Sequence, residues 1–268
     1  MVARTLILLG VGLVTGTVTA MSAGSGVMIV VPFLVLLLDY SIHQAIGVSL
    51  LVDVITSVNV AYNYYRFGHV NFRAGAWLAL GAVVGAQIGS FAANHIPQDP
   101  LTDGFSIFVI ITGLIFWLRA EGKAGLNLSF LRPQGKKGQA LLTAAIGLYI
   151  GVMTGLFGSG GGVTILLALV YILGFPLHCA LGTATALMAV TAASGVVGYS
   201  LHGQVVWLDG LLIGLAAMAS GFFFTRVAHR ASERALSRAV GSIFILVGVL
   251  MTLFENGGSG LLLATLGK

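Results

Sequence analysis

Two short stretches concentrate the residues able to act on a ligand. Residues 22–26 read Ser-Ala-Gly-Ser-Gly and residues 158–162 read Gly-Ser-Gly-Gly-Gly. Ser22, Ser25 and Ser159 supply hydroxyl donors. Gly24, Gly26, Gly160, Gly161 and Gly162 leave the main chain free to turn and open to close approach, because they carry no Cβ. Bare amides and hydroxyls together suit an anion. Asp53, in Leu-Leu-Val-Asp-Val-Ile-Thr-Ser, is the one acidic residue well inside an apolar run.

Three enzymatic or metal chemistries can be weighed against these residues. A phosphate-binding loop needs a Lys-Ser/Thr pair after its glycines, for charge and for a metal ligand, and Gly-Ser-Gly-Gly-Gly-Val has neither. An intramembrane serine protease would need a G-x-S-G motif, which is absent around Ser25, Ser159 and Ser194. The single cysteine, Cys179, excludes an internal disulfide and supports no metal cluster. The expectation is therefore a non-enzymatic protein with no cofactor and no metal.

The elements that carry these residues belong in lipid. Hydrophobic residues make up 57% of the 268 and charged ones 8%, with a mean hydropathy of +1.02, whereas soluble domains carry about 25% charged residues. Apolar segments recur at 5–23, 43–65, 74–93, 105–118, 140–157, 178–199, 207–225 and 239–254, several near the roughly 20 residues that cross a bilayer core. The net charge of +5 sits in short loops between these segments, which points to membrane orientation and away from nucleic acid. The first two dozen residues resemble a signal peptide, with Arg4 as the charged region. The same pattern returns at 140–160, where no signal peptide could stand.

A shift of 135 superimposes the two halves. His43 then meets His178, Gly47 meets Gly182, Tyr64 meets Tyr199, Gly75 meets Gly210 and Gly113 meets Gly248, while upstream a shift of 136 pairs 24–27 with 160–163. The chain divides into a first repeat (1–120), a basic linker (121–138) and a second repeat with a short tail (139–268). Eleven of the thirteen basic residues lie in 66–73, 119–138 and 226–238, while 94–103 carries Asp99 and Asp103. The positive-inside rule places the three basic segments in the cytoplasm and 94–103 outside. In the repeat alignment the basic loop 66–73 meets 201–208, which has no Lys or Arg, and the acidic loop 94–103 meets basic 229–238. Equivalent loops thus fall on opposite faces. The predicted fold is an all-α membrane protein of two inverted repeats, about five segments each, with both termini outside.

The segments after the glycine loops, 26–38 and 162–174, are about 13 residues and reach ~20 Å as helix, too short to span. Their beginnings would lie at membrane depth, where irregular backbone persists only if buried in protein or lining a wet cavity. A half-helix presents free N–H groups and the positive end of its dipole at its start, which favours an anion. Inverted repeats meeting at such broken helices are a transporter architecture, with the substrate near mid-membrane. The competing reading is that the loop glycines only pack helices, as Gly81, Gly85, Gly89, Gly147, Gly151 and Gly155 are expected to do at four-residue spacing.

Other polar residues in the spans leave two readings each. Asp53 is either a coupling-ion or proton site, or a hydrogen-bonded structural group. Asn59 and Asn63 extend a polar face with Ser49 and Thr56, or bond across helices. Gln87, Ser90 and Asn94 belong to a pathway or to helix packing. His43 and His178 read as caps or anchors, and Arg226 as a side chain snorkelling to the cytoplasmic face.

The segment 178–210, His-Cys-Ala-Leu-Gly-Thr-Ala-Thr-Ala at its start, follows a glycine loop and short apolar helix, and 43–75 is a weaker copy. With these features the chain resembles the TauE/SafE-type sulfite exporter family over nearly its whole length. That family's Gly-Thr-Ser element stands here in part as Gly182-Thr183-Ala184 and Gly47-Val48-Ser49, and the proline after the loop is kept as Pro32. The resemblance implies an inner-membrane permease that exports a small sulfur-containing anion such as sulfite or a sulfonate. Ser49 and Thr183 join the loop residues as candidate substrate contacts. The expected partners are that anion and the lipid bilayer, with a homodimer left open.

Overall fold

A computed structural model of the chain describes residues 2–22, 25–66, 68, 70–120, 135–159, 161–228 and 233–257. Among the described residues the secondary structure is helical throughout. The helices are α1 (Val2–Ser22), α2 (Val27–Leu38), α3 (Ile42–Arg66), α4 (Phe72–His95), α5 (Gln98–Ala120), α6 (Lys136–Phe157), α7 (Gly162–Leu167), α8 (Leu177–Leu201), α9 (Trp207–Ala228) and α10 (Glu233–Gly257). A π-helical turn, Ala168–Ile172, continues α7. Ile42–Arg66, Gly75–His95, Gly138–Phe157 and Cys179–Leu201 are long and apolar enough to cross a bilayer. Arg4–Thr19, Val27–Leu38, Trp207–Phe223 and Gly241–Thr252 form shorter apolar helices.

The two glycine loops do break helices, but the segments after them turn back. α2 has 12 residues, about 18 Å of helix. At its start, a Cβ built on Gly26 would meet Thr15 Cγ2 at 2.3 Å and Thr19 Oγ1 at 3.5 Å. At its end, Tyr40 accepts a hydrogen bond from Arg4 at 2.7 Å. Thus α2 runs antiparallel to α1 and returns toward the end from which α1 began. In the second half Gly161 lies likewise against Ile150 and Thr154 of α6. In the first half, α1 and α2 thus form a helical hairpin; of the four helices long and apolar enough to cross a bilayer, α3 and α4 belong to the first half and α6 and α8 to the second.

The helices of one half pack chiefly on those of the other. α1 lies along α9, α6 along α4, α3 along α8 and α5 along α10. In lipid there is little hydrophobic drive between helices, so close backbone approach and dispersion contacts hold such a bundle together. Glycine makes that approach here. A Cβ on Gly81, Gly85 or Gly89 would stand 2.1, 2.2 or 2.3 Å from the carbonyl oxygens of Ala144, Leu148 and Val152. Gly147, Gly151 and Gly155 answer from α6, at 2.2, 2.1 and 2.3 Å from the oxygens of Leu78, Ala82 and Ala86. The packing role expected of these six glycines is what the structure gives them.

A second seam joins α1 and α9. A Cβ built on Gly12 would stand 2.5 Å from the Ile213 oxygen, and one on Gly16 2.0 Å from the Ala217 oxygen. These contacts repeat Gly147 on Leu78 and Gly151 on Ala82, displaced by 135 residues. Gly113 against Gly241 and Ile245 likewise repeats as Gly248 against Ser106 and Ile110.

At the centre stands α2. Val27, Met28, Ile29, Val30, Val31, Pro32 and Leu34 are all buried, as befits a helix that is apolar on every side. Outward, large apolar side chains such as Leu80, Phe91, Leu141, Leu201 and Phe223 are exposed, a surface suited to hydrocarbon. Trp77, Trp117 and Trp207 are exposed near helix ends, the placement of interfacial aromatic belts.

Candidate functional site

α6 ends where Gly158 adopts a left-handed conformation, φ 68°, and its N–H bonds the Thr154 carbonyl at 2.7 Å. The broken end leaves carbonyls without helical partners. Buried Tyr199, from α8, donates to one of them, Gly155 O, at 3.0 Å. After Ser159 the chain turns again at Gly161, φ 71°, and α7 starts without a side-chain cap on its amides. A Cβ at Gly158 would meet Ile46 Cγ2 at 2.8 Å, Ser49 Oγ at 3.0 Å and Val27 Cγ2 at 3.2 Å. Val27 is the first residue of α2. Two loops more than 130 positions apart in the chain are therefore neighbours in the fold.

The start of α2 is engaged by the chain's own anion. Asp53, fully buried in α3, accepts the Gly26 N–H on Oδ1 at 3.0 Å and the Ser25 hydroxyl on Oδ2. Ser25 Oγ in turn accepts the Val27 N–H at 3.2 Å. The carboxyl group thus takes up donors that the start of α2 would otherwise leave free, as side chains at helix N-termini do. Sequence symmetry breaks at this point, because the repeat partner of Asp53 is Met188. The second loop has no equivalent carboxylate.

Ser25 and Ser159 both line a cavity of ≈ 310 Å³. Gly161 and Thr164 add polar atoms beside Ser159, and Thr112 and Tyr149 contribute two more hydroxyls. The remaining wall is apolar, made by Met28, Phe108, Ile111, Ile115, Ile150, Met153 and Phe244. Among the described residues no charged side chain lines it. Ile111, Ile115 and Tyr149 are exposed, so the cavity opens between α5 and α6. Thr164, Thr112 and Tyr149 were not singled out from the sequence; a lone hydroxyl inside an apolar run is a weak signal until the fold aims it inward.

Other expected site residues are placed elsewhere or bonded locally. Ser49 Oγ donates to Ile46 O at 2.8 Å while standing beside Gly158. Thr183 Oγ1 accepts the Asn71 N–H at 3.0 Å, tying α8 to the start of α4, and it does not line the cavity. Gln87 Nε2 donates to Ser194 O and Oγ at 2.6 and 2.9 Å across the α4–α8 contact. Ser90 and Asn94 donate to carbonyls of their own helix, those of Gln87 and Ser90. His43 Nε2 lies 3.0 and 3.2 Å from the carbonyl oxygens of Ala93 and Ile96, an anchor for the end of α4. Gly24 and Gly160, together with the side chains of Ser22, Asn63, His178 and Arg226, lie outside the described residues.

A further polar group was not anticipated. Arg4 donates to Asp209 at 2.6 Å and to Tyr40, and Tyr40 donates to Asp209. Burial, with the Asp209 carboxylate beside it, pushes the Tyr40 phenol above its usual range, against the opposing pull of Arg4. The three residues clamp α1, the α2–α3 turn and α9 at one end of the bundle.

Apolar helices, two of them broken at glycine loops that meet at one cavity, make this a polytopic integral membrane protein. The model of the sulfite exporter TauE/SafE family matches residues 8–251, and the chain belongs to that family. It is 26% identical over 259 residues to the probable membrane transporter protein YunE of Bacillus subtilis, covering 90% of this chain and 95% of that one. It is 27% identical to a probable membrane transporter protein of Xylella fastidiosa, covering 91% and 93%. The probable membrane transporter protein MJ0441 of Methanocaldococcus jannaschii is 21% identical, covering 92% and 95%. No solved structure matches the chain.

Proposed function

We propose that the protein is a permease for a small sulfur-containing oxyanion, sulfite or a sulfonate, which it moves by exposing the cavity between the glycine loops alternately to the two sides. The observation that carries this reading is the convergence of both loops on one cavity, with Ser25 from one and Ser159 and Gly161 from the other. Held by hydroxyls and amides without a fixed cation, an anion binds weakly enough to leave again, as a transported ion must. The sulfur, the export direction and the inner membrane are what the family resemblance implies.

Two inverted repeats supply a route for the alternation. Contacts that recur 135 residues apart, such as Gly16 on Ala217 and Gly151 on Ala82, support a pseudo-twofold relation between the halves. The relation is incomplete: α1 and α2 pack on α10, while the cavity opens at the equivalent place, between α6 and α5. Exchange of these two arrangements would close the present opening and create its counterpart. The cavity wall runs along α5 from Phe108 to Ile115, toward the helix end that leads into the basic linker. By the positive-inside reading the opening therefore faces the cytoplasm, and both termini lie outside.

Counterflow in proteoliposomes tests the function. Labelled sulfite should exchange saturably, compete with sulfonates better than with chloride, and slow in Ser159→Ala. Absence of saturable exchange by a folded protein, or an ohmic anion current in its place, would refute the permease.

A further inference from the structure

Asp53 is buried and, among the described residues, has no cationic partner. Among the described residues the ion pair found is Arg4–Asp209, at the far end of the bundle from it. Two hydrogen bonds reach the Asp53 carboxylate, from Ser25 and Gly26, and a carboxylate taken out of water retains capacity for more.

The surroundings hold unused oxygens. Among the described residues, three buried side-chain hydroxyls lack a hydrogen-bond partner: Thr15, Thr19 and Ser57. Thr15 and Thr19 adjoin Gly26, whose N–H bonds Asp53, and Ser57 follows Asp53 on α3. Ser57 lies one helical turn beyond Asp53 on α3, on the same helix face. Thr15 and Thr19, a turn apart on α1, pack at Gly26, and Thr19 Oγ1 and Asp53 Oδ1 lie 3.5 and 3.6 Å from the same point, the position of a Cβ on that residue. Elsewhere in the bundle buried hydroxyls are satisfied locally: Thr154 donates to Ile150 O, Thr191 to Leu187 O and Ser106 to Thr102 O. A proton on Asp53 would leave the three stranded oxygens as they are. A hard monovalent cation would use them together with the carboxylate, since such ions take several oxygen ligands.

We propose that Asp53, with the hydroxyls of Ser25, Thr19 and Ser57, forms a Na⁺ site at the break between α1 and α2. The proposal rests on the permease reading for its purpose but not for its test. Ser25 both bonds Asp53 and lines the anion cavity, so the cation neutralises a carboxylate that would otherwise repel the substrate. Na⁺ and anion then raise each other's affinity by the same factor, and net flux follows their combined gradients. Met188 at the equivalent position leaves the second loop without such a site.

Equilibrium binding of radiolabelled Na⁺ to the purified full chain in detergent is the test. Saturable binding should disappear in Asp53→Asn. It should weaken about tenfold or more in Ser57→Ala and Thr19→Val, the scale of a lost contact to a charged group. Ser106→Ala, whose hydroxyl serves only its own helix, should bind as the native chain does. No saturable Na⁺ binding by the natively folded protein, or full binding retained in Asp53→Asn, would overturn the site; so would anion counterflow driven by a pH gradient and indifferent to Na⁺. Should Asp53→Asn fail to fold, the native chain and the two hydroxyl variants decide. Na⁺ binding without any sulfite exchange would instead sink the permease and leave the cation site standing.

Discussion

Gly151→Ala adds one methyl group at one of the two tightest points of the α4–α6 seam. The new Cβ would stand 2.1 Å from Ala82 O, 2.8 Å from its carbonyl carbon and 2.8 Å from its Cα. Every close atom is backbone, so no side-chain rotation relieves the contact and the two helices must separate by about 1 Å to restore van der Waals distance. The separation weakens the flanking contacts as well, because Gly147, Gly155, Gly81, Gly85 and Gly89 interlock along the same line. Against this stands the better helix propensity of Ala, worth about 1 kcal/mol. Overpacking costs about 1–3 kcal/mol in well-filled cores, and a rigid backbone contact repeated along a seam belongs at the upper end. The net loss should be about 1–2 kcal/mol, a fall of roughly 2–8 °C in melting midpoint for a chain of this length. Thermal unfolding of the detergent-solubilised protein, followed by tryptophan fluorescence, measures it. Gly10→Ala is the control: apart from its own helix backbone, no described atom lies within 4 Å of its added Cβ, so only the propensity gain remains and the midpoint should hold or rise. Gly16→Ala, with 2.0 Å to Ala217 O, should match Gly151→Ala. Gly151→Ala melting at or above the native protein would refute the reasoning.

Other variants probe the polar clusters. Tyr40→Phe removes the phenol that joins Arg4 to Asp209 and should lower the midpoint near neutral pH. Because the folded state raises the Tyr40 pKa above its ordinary value of 10.0, the native protein keeps that contribution below pH 10 and loses it as pH climbs beyond. The gap between native and Tyr40→Phe midpoints should therefore narrow above pH 10, and a gap that widens there would contradict the assignment. Gln87→Leu breaks the bonds to Ser194 and should cost about 0.6–2 kcal/mol, the range of interhelical hydrogen bonds in membranes. Competition among anions in counterflow should stay unchanged, and altered selectivity would move Gln87 from packing into the transport path.

Much of the architecture is legible from residues alone. Hydropathy decides that the chain lives in lipid, since so few charges cannot cover a soluble surface. Periodic glycines on 81–89 and 147–155 announce helix seams because their spacing matches the helical face. The truncated runs after Gly26 and Gly161 announce broken helices, because their lengths fall short of a bilayer. Self-similarity at a shift of 135 announces two related halves. Each of these is a local or periodic property, written along one dimension.

What the folded bundle decided is which residues meet. Length shows only that 27–38 falls short of a bilayer; contacts of Gly26 with Thr15 and of Tyr40 with Arg4 make α1 and α2 a hairpin. Spacing placed two anion-seeking helix starts in the chain, but only packing brings Asp53 from α3 onto the first and leaves the second facing a cavity. Thr15, Thr19 and Ser57 look like ordinary helix hydroxyls in sequence, and their lack of partners exists only once α1, α2 and α3 are assembled. A contact between positions far apart in the chain carries no periodic trace, because pairing depends on the distance the fold closes and not on the separation the chain records.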